Sequence, residues 1–82
     1  AAPDEIEVQV RKIASGVEGV IEIEKCRIRK SGLGLLMDIH VVVQGEKPVR
    51  EGHQIGHNVK NHLLESELQI TDVIVHVEPD EF

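Results

Sequence analysis

Aromatic side chains are almost missing from this sequence of 82 residues: Phe82 is the single one, with no Trp and no Tyr. A chain without such platforms does not stack bases in the way of single-strand nucleic-acid binders. Cysteine is as scarce, and Cys26 alone permits neither an internal disulfide nor a Cys-x-x-Cys metal or redox pair. A reducing compartment is therefore expected. Basic residues are outnumbered, 9 Lys and Arg against 15 Asp and Glu, for a formal charge of −6. A surface that tracks phosphates would carry a basic stripe, so no nucleic-acid partner is expected. No apolar stretch approaches the roughly 20 residues that cross a bilayer, and no basic segment followed by a short apolar one opens the chain. These absences leave a soluble single domain over residues 1–82, with too little bulk for a deep cleft. The first residue is Ala1 rather than Met, so a piece of a longer protein is expected.

What is present is an ordered alternation of patterns. Pro3, Asp4 and Glu5 open like a helix, and Ile6, Val10, Ile13 and Val17 then recur at spacings of four, three and four, predicting an amphipathic helix that ends near Ser15 and Gly16. From about Gly19 to Lys30 β-branched residues alternate with charge. The reading is a partly irregular strand with Ile21 and Ile23 on one face and Glu22, Glu24, Cys26 and Ile28 on the other. After Ser31-Gly32-Leu33-Gly34, the residues Leu35, Met37, Ile39, Val41 and Val43 alternate against Leu36, Asp38, His40, Val42 and Gln44, which predicts a half-buried strand in a hairpin with its predecessor. Pro48 starts a second helix with a stripe of Ile55, Val59 and Leu63, beside which Gly52 and Gly56 allow close approach to a sheet. A last strand runs from Leu68 to Val77, with Val73, Val75 and Val77 opposite Asp72, Ile74, His76 and Glu78. The predicted class is α+β: an αββαβ two-layer sandwich, a truncated ferredoxin-like fold with two helices on one face of a three-stranded sheet. The other face of the sheet must then meet water or a partner.

The five histidines, His40, His53, His57, His62 and His76, are the unusual chemistry. A period of two places His40 with Asp38, and His76 with Glu78, on the polar faces of two strands of one sheet. Imidazole nitrogen and carboxylate oxygen in that arrangement suit zinc and other divalent first-row ions. His53 and His57 stand four apart on the second helix, a spacing that can offer two imidazoles to one metal. Gln54 follows His53 where the helix motif of zinc hydrolases would carry Glu. His62, near the helix end, is read as a partner for the negative end of the dipole. Cys26 is a packed or half-exposed thiol, or an aid to a soft ion. No Ser-His-Asp or Cys-His order with a glycine elbow is present, so no enzyme is expected.

Taken together, Arg27-Ile28-Arg29-Lys30-Ser31-Gly32, Asp38-Ile39-His40-Val41, Val49-Arg50-Glu51-Gly52-His53 and Asp72-Val73-Ile74-Val75-His76-Val77-Glu78-Pro79 resemble the C-terminal cytoplasmic domain of cation diffusion facilitator transporters, over about Ile6 to Pro79. The resemblance implies a metallochaperone-like module that dimerises as a V beneath a membrane domain absent from this chain. It also implies that divalent cations couple the cytosolic metal level to transport. The family's ligand positions fall on Glu24, His40, His53, His76 and Glu78, with His53 completing a site across the dimer, and Asp38 is a further carboxylate nearby. The first-strand position, often His in zinc exporters, is Glu24 here. Zinc is the first expectation for the ion, with iron and manganese beside it. Two alternatives stay open at this point: a small-ligand module of the amino-acid-sensing kind, and a metal-independent dimerisation scaffold.

Overall fold

In the computed structural model, which describes residues 3–80, the chain runs α1 (Pro3–Ser15), β1 (Glu22–Ser31), β2 (Gly34–Val43), α2 (Val49–Leu64) and β3 (Ile70–Pro79). Ala1 and Phe82 lie outside the described residues. The order is the predicted one, helix, strand, strand, helix, strand, and the sheet order is β1-β2-β3. β1 and β2 form an antiparallel hairpin that closes from Ser31 to Gly34. Gly32 takes a φ of 61° in its two-residue turn, a conformation glycine adopts without steric cost. β3 returns parallel to β2, which two strands can do only through a crossover, and α2 is that crossover. β2, central in the sheet, is the most buried strand, with Met37, Ile39, Val41 and Val43 all at 5% exposure or less.

The core joins both helices to one sheet face. α1 supplies Val10 and Ala14, Val17 follows just past its end, α2 supplies Ile55, Val59 and Leu63, and β1, β2 and β3 add Ile23, the β2 row and Val73. The buried α1 stripe is Val10 and Ala14, with Ile6 and Ile13 flanking it half-buried, and the expected helical position Val17 packs from the connection after the helix. Each fully buried Val, Leu or Ile contributes on the order of 1.5–3 kcal/mol, which is how a sheet without aromatic residues is held. Pro48 sits just before α2 as its N-cap rather than inside the first turn, and its carbonyl accepts from the amides of Glu51 and Gly52 at 2.9 and 3.2 Å. Its missing N–H costs nothing there.

α2 lies close against β3 because two of its residues have no side chain. A Cβ at Gly56 would stand 2.8 Å from Val77 Cγ2, whereas one at Gly52 would meet Val77 Cγ1 at 3.6 Å and Val43 Cγ2 at 3.9 Å. The first is overlap with a stiff β-branched side chain and the second is ordinary contact. Gly56→Ala is therefore expected to lower the free energy of unfolding by about 1–3 kcal/mol. Gly52→Ala should be neutral or stabilising by up to about 1 kcal/mol. Urea denaturation of the two variants checks the pair, and equal effects would mean that α2 does not approach the sheet as closely at Gly56 as described.

Candidate metal site

On the outer sheet face, away from the helices, β2 and β3 run in parallel register with His40 opposite His76, Asp38 opposite Ile74 and Val42 opposite Glu78. His40 and His76 therefore stack, ring centroids 4.4 Å apart and 13° from parallel. One step along the sheet, His40 Nδ1 and Glu78 Oε2 are 2.6 Å apart. A ring N–H at Nδ1 donates to the carboxylate oxygen, which can only accept. With an ion in place of that proton, the same two atoms would share the ion.

The third member comes from β1, and it reaches this face through a break in the strand. Ile23 pairs with Val41 and Lys25 with His40, so Glu24 is the extra residue of a β-bulge. Strict alternation would put Glu24 on the face of Cys26 and Ile28, as expected above; that expectation is corrected here. The bulge resets the phase: Ile23, Cys26 and Ile28 all pack toward the helix side, while Glu24 turns to His40 and Glu78. One ligand atom from each of Glu24, His40 and Glu78 lies within 4.8 Å of the others. The visible signal was the pair of adjacent charges, Glu24-Lys25, between Ile23 and Cys26, since two polar residues in succession interrupt a period of two.

Arg11 of α1 fastens the bulge. Its Nη1 donates to the carbonyl of Ile23 at 2.8 Å, and its Nε donates to Glu7 Oε2 at 2.9 Å, one helical turn back. The carbonyl immediately before Glu24 is thus paired by a charged donor. Sequence pattern gave no warning of this role, because Arg11 reads as a solvated residue on a helix.

The electrostatics of the cluster are those of two carboxylates crowded beside one imidazole. The Glu78 carboxylate, by a shared hydrogen bond and by its charge, holds Glu24 above the usual carboxylate range. Hydrogen bonds from His40 and Glu24 hold Glu78 below it. One cation placed between them would relieve the repulsion and satisfy both oxygens and the imidazole. Two oxygens and a nitrogen form an open donor set that suits a divalent first-row ion.

The remaining expected ligands stand apart from this trio. His76 lies beside His40 by stacking, and Asp38 faces Arg29 of β1 at 3.8 Å. His53 is on α2, exposed, across the β3 edge from Glu78, with which it lines a groove of about 420 Å³. His57 touches His53, ring centroids 4.8 Å apart. His62 Nδ1 lies 2.8 Å from the carbonyl of Asn58, one helical turn back. Cys26 is half-buried on the α1 side, and burial pushes its thiol pKa up, which makes it a poor thiolate ligand.

An αββαβ sandwich with a mixed three-stranded sheet and two helices on one face defines a ferredoxin-like α+β fold. Solved structures share it. A MamM-CTD variant superposes with a TM-score of 0.93 at 22% identity, over 98% of this chain and 100% of that one. The nickel form of another MamM CTD variant gives 0.90 at 22%, over 95% and 99%. The family described as "Cation efflux protein, cytoplasmic domain" matches residues 2–80, and the chain belongs to that family, cytoplasmic domains of integral membrane proteins. Curated relatives include metal tolerance protein C1 of Arabidopsis thaliana, 29% identical over 70 residues, 85% of this chain and 15% of that protein. Cation-efflux pump FieF of Yersinia pestis (strain Pestoides F) is 29% identical over 79 residues, 96% of this chain and 26% of that protein. The chain thus spans about a quarter or less of the length of these relatives. Among the described residues no helix is long and apolar enough to cross a membrane.

If Arg11 holds the bulge, Arg11→Met should cost about 1–2 kcal/mol of stability by stranding the Ile23 carbonyl. Its amide shift changes should centre on residues 23–25 as well as on α1. Changes confined to α1 would show that the bulge stands without Arg11.

Proposed function

We propose that this domain senses cytosolic divalent cations for an efflux transporter, binding an ion at Glu24, His40 and Glu78 and closing as a homodimer when it does so. The observation that carries the reading is the cluster of two carboxylates and one imidazole within 4.8 Å, the one such group among the described residues, in a chain of the cation efflux family. His76, stacked on His40, and Asp38, one pair of positions along the sheet, are the neighbouring donors that a second ion or a shift of the first would use. His53, exposed on the far side of the β3 edge, would complete the site from a partner subunit.

Charge supports closure on metal. Two copies at −6 each repel, and divalent ions between them remove part of that penalty. The ion favours the closed dimer only by the difference in its affinity for the two states. Zinc fits the donor set, and the two carboxylates admit iron and manganese beside it. Nickel and cadmium forms of the structurally similar MamM CTD are consistent with divalent ions in this fold. The membrane part of the transporter would be the other partner, and transport chemistry would belong to it.

The test is calorimetric titration of the chelator-treated domain with Zn²⁺, Fe²⁺ and Mn²⁺, with small-angle scattering at each end point. Saturable binding and a smaller dimer are expected. His40→Ala combined with Glu78→Gln should weaken the sheet site by at least about a hundredfold, or nearly 3 kcal/mol. Unchanged affinity in that variant would sink the assignment. Saturable binding without any change in size would leave the sensing role without its mechanism.

A further inference from the structure

The histidine pair on α2 is independent of the sheet cluster. His53 and His57 are both exposed, four residues apart, on a helix whose buried stripe of Ile55, Val59 and Leu63 anchors it firmly to the sheet. Their rings already meet edge to face with centroids 4.8 Å apart. Two imidazoles bound to one ion at about 2.0–2.1 Å each have their ring centres about 5 Å apart, so a small change of side-chain torsion would bring both nitrogens onto one ion. The backbone contributes the rest, since residues four apart on a helix stand directly above one another. The pair borders a groove of about 300 Å³ between α2 and β3, open to solvent. Within it Asp72 Oδ1 faces Lys60 at 3.4 Å, and the imidazole nitrogens of His53 and His57 are the donors that stand together.

We propose that His53 and His57 form a second, intra-subunit divalent-ion site on α2, a bis-imidazole chelate with a preference different from that of the sheet. Nitrogen-only donors favour Ni²⁺, Cu²⁺ and Zn²⁺ and give Mn²⁺ little, whereas the carboxylate-rich sheet cluster admits Mn²⁺. The domain would then distinguish borderline-soft from hard ions by which site fills. His53 then has two alternative engagements, with His57 in the single subunit and with a partner's sheet site in the closed dimer. The proposal does not require the sheet cluster to bind anything, so its failure and that of the sensing reading are separable.

The experiment uses the whole chain carrying His40→Ala and Glu78→Gln, titrated with Ni²⁺ and with Mn²⁺, with and without His57→Ala. Histidine ring proton signals are followed alongside heat. In the double variant one Ni²⁺ per subunit should bind, broaden the ring signals of His53 and His57 together, and raise the melting temperature by mass action. Mn²⁺ should do none of this. Adding His57→Ala, at an exposed position that leaves the core intact, should weaken Ni²⁺ by about tenfold or more. The affinity should not depend on protein concentration. Ni²⁺ affinity unchanged by His57→Ala would overturn the proposal, as would no Ni²⁺ binding in the double variant. Affinity that rises with protein concentration would also overturn it, because the ligands would then come from two subunits.

Discussion

The candidate site depends on one irregularity in an otherwise regular strand. A strand presents alternate residues to opposite faces, and an uninterrupted β1 could not send Ile23, Cys26 and Ile28 to the core while sending Glu24 to the outer face. The inserted residue between the pairings Ile23–Val41 and Lys25–His40 resolves this conflict. It gives β1 one phase for the core on either side of Glu24 and frees that residue to join His40 and Glu78. The cost of an interrupted ladder is met locally, by the Arg11 guanidinium on the Ile23 carbonyl. A helix packed for burial thus also positions a carboxylate on the opposite side of the sheet.

Most of the architecture was legible in the sequence because each element has a clean period. The β2 row from Leu35 to Val43, the α2 stripe of Ile55, Val59 and Leu63, and the glycines beside it led to the correct layers. The pairing of β1 with β2 followed from a two-residue turn. The β1 side-chain phase did not follow, since a period-two reading carries its phase through any bulge it fails to notice. Arg11 was illegible for a different reason: its partner is a backbone carbonyl 12 residues away, and no pattern of side-chain polarity encodes that.

The site was legible in part, and the division is physical. His40, His76, Glu78 and Asp38 were placed on one face by alternation, and the parallel register of β2 and β3 puts His40 opposite His76. Alternation gives faces but not distances. It could not tell that Glu78 lies 2.6 Å from His40 while Asp38 is drawn toward Arg29. Glu24 entered through resemblance to a family and not through its own periodicity, which pointed to the wrong face.

A trio of two carboxylates and an imidazole is a poor resting arrangement without a cation. The neighbours pull the two proton affinities apart: Glu78 raises that of Glu24, while hydrogen bonds from His40 and Glu24 lower that of Glu78, so positive charge is wanted between them. Protons are the weak occupants of such a place and a divalent ion the strong one. Binding therefore exchanges protons for metal, and the free energy available to move a dimer is what remains after that exchange. To shift a population from mostly open to mostly closed, the ion must prefer the closed form by several kcal/mol, of the order of 5.5 for a swing from 1:99 to 99:1. Three ligands within one subunit make the same contacts in both states, so beyond the relief of charge repulsion they supply little of that difference. A ligand added only on closure does, which makes donors displaced from the trio, such as His53 on α2, the ones on which coupling between metal and shape would turn.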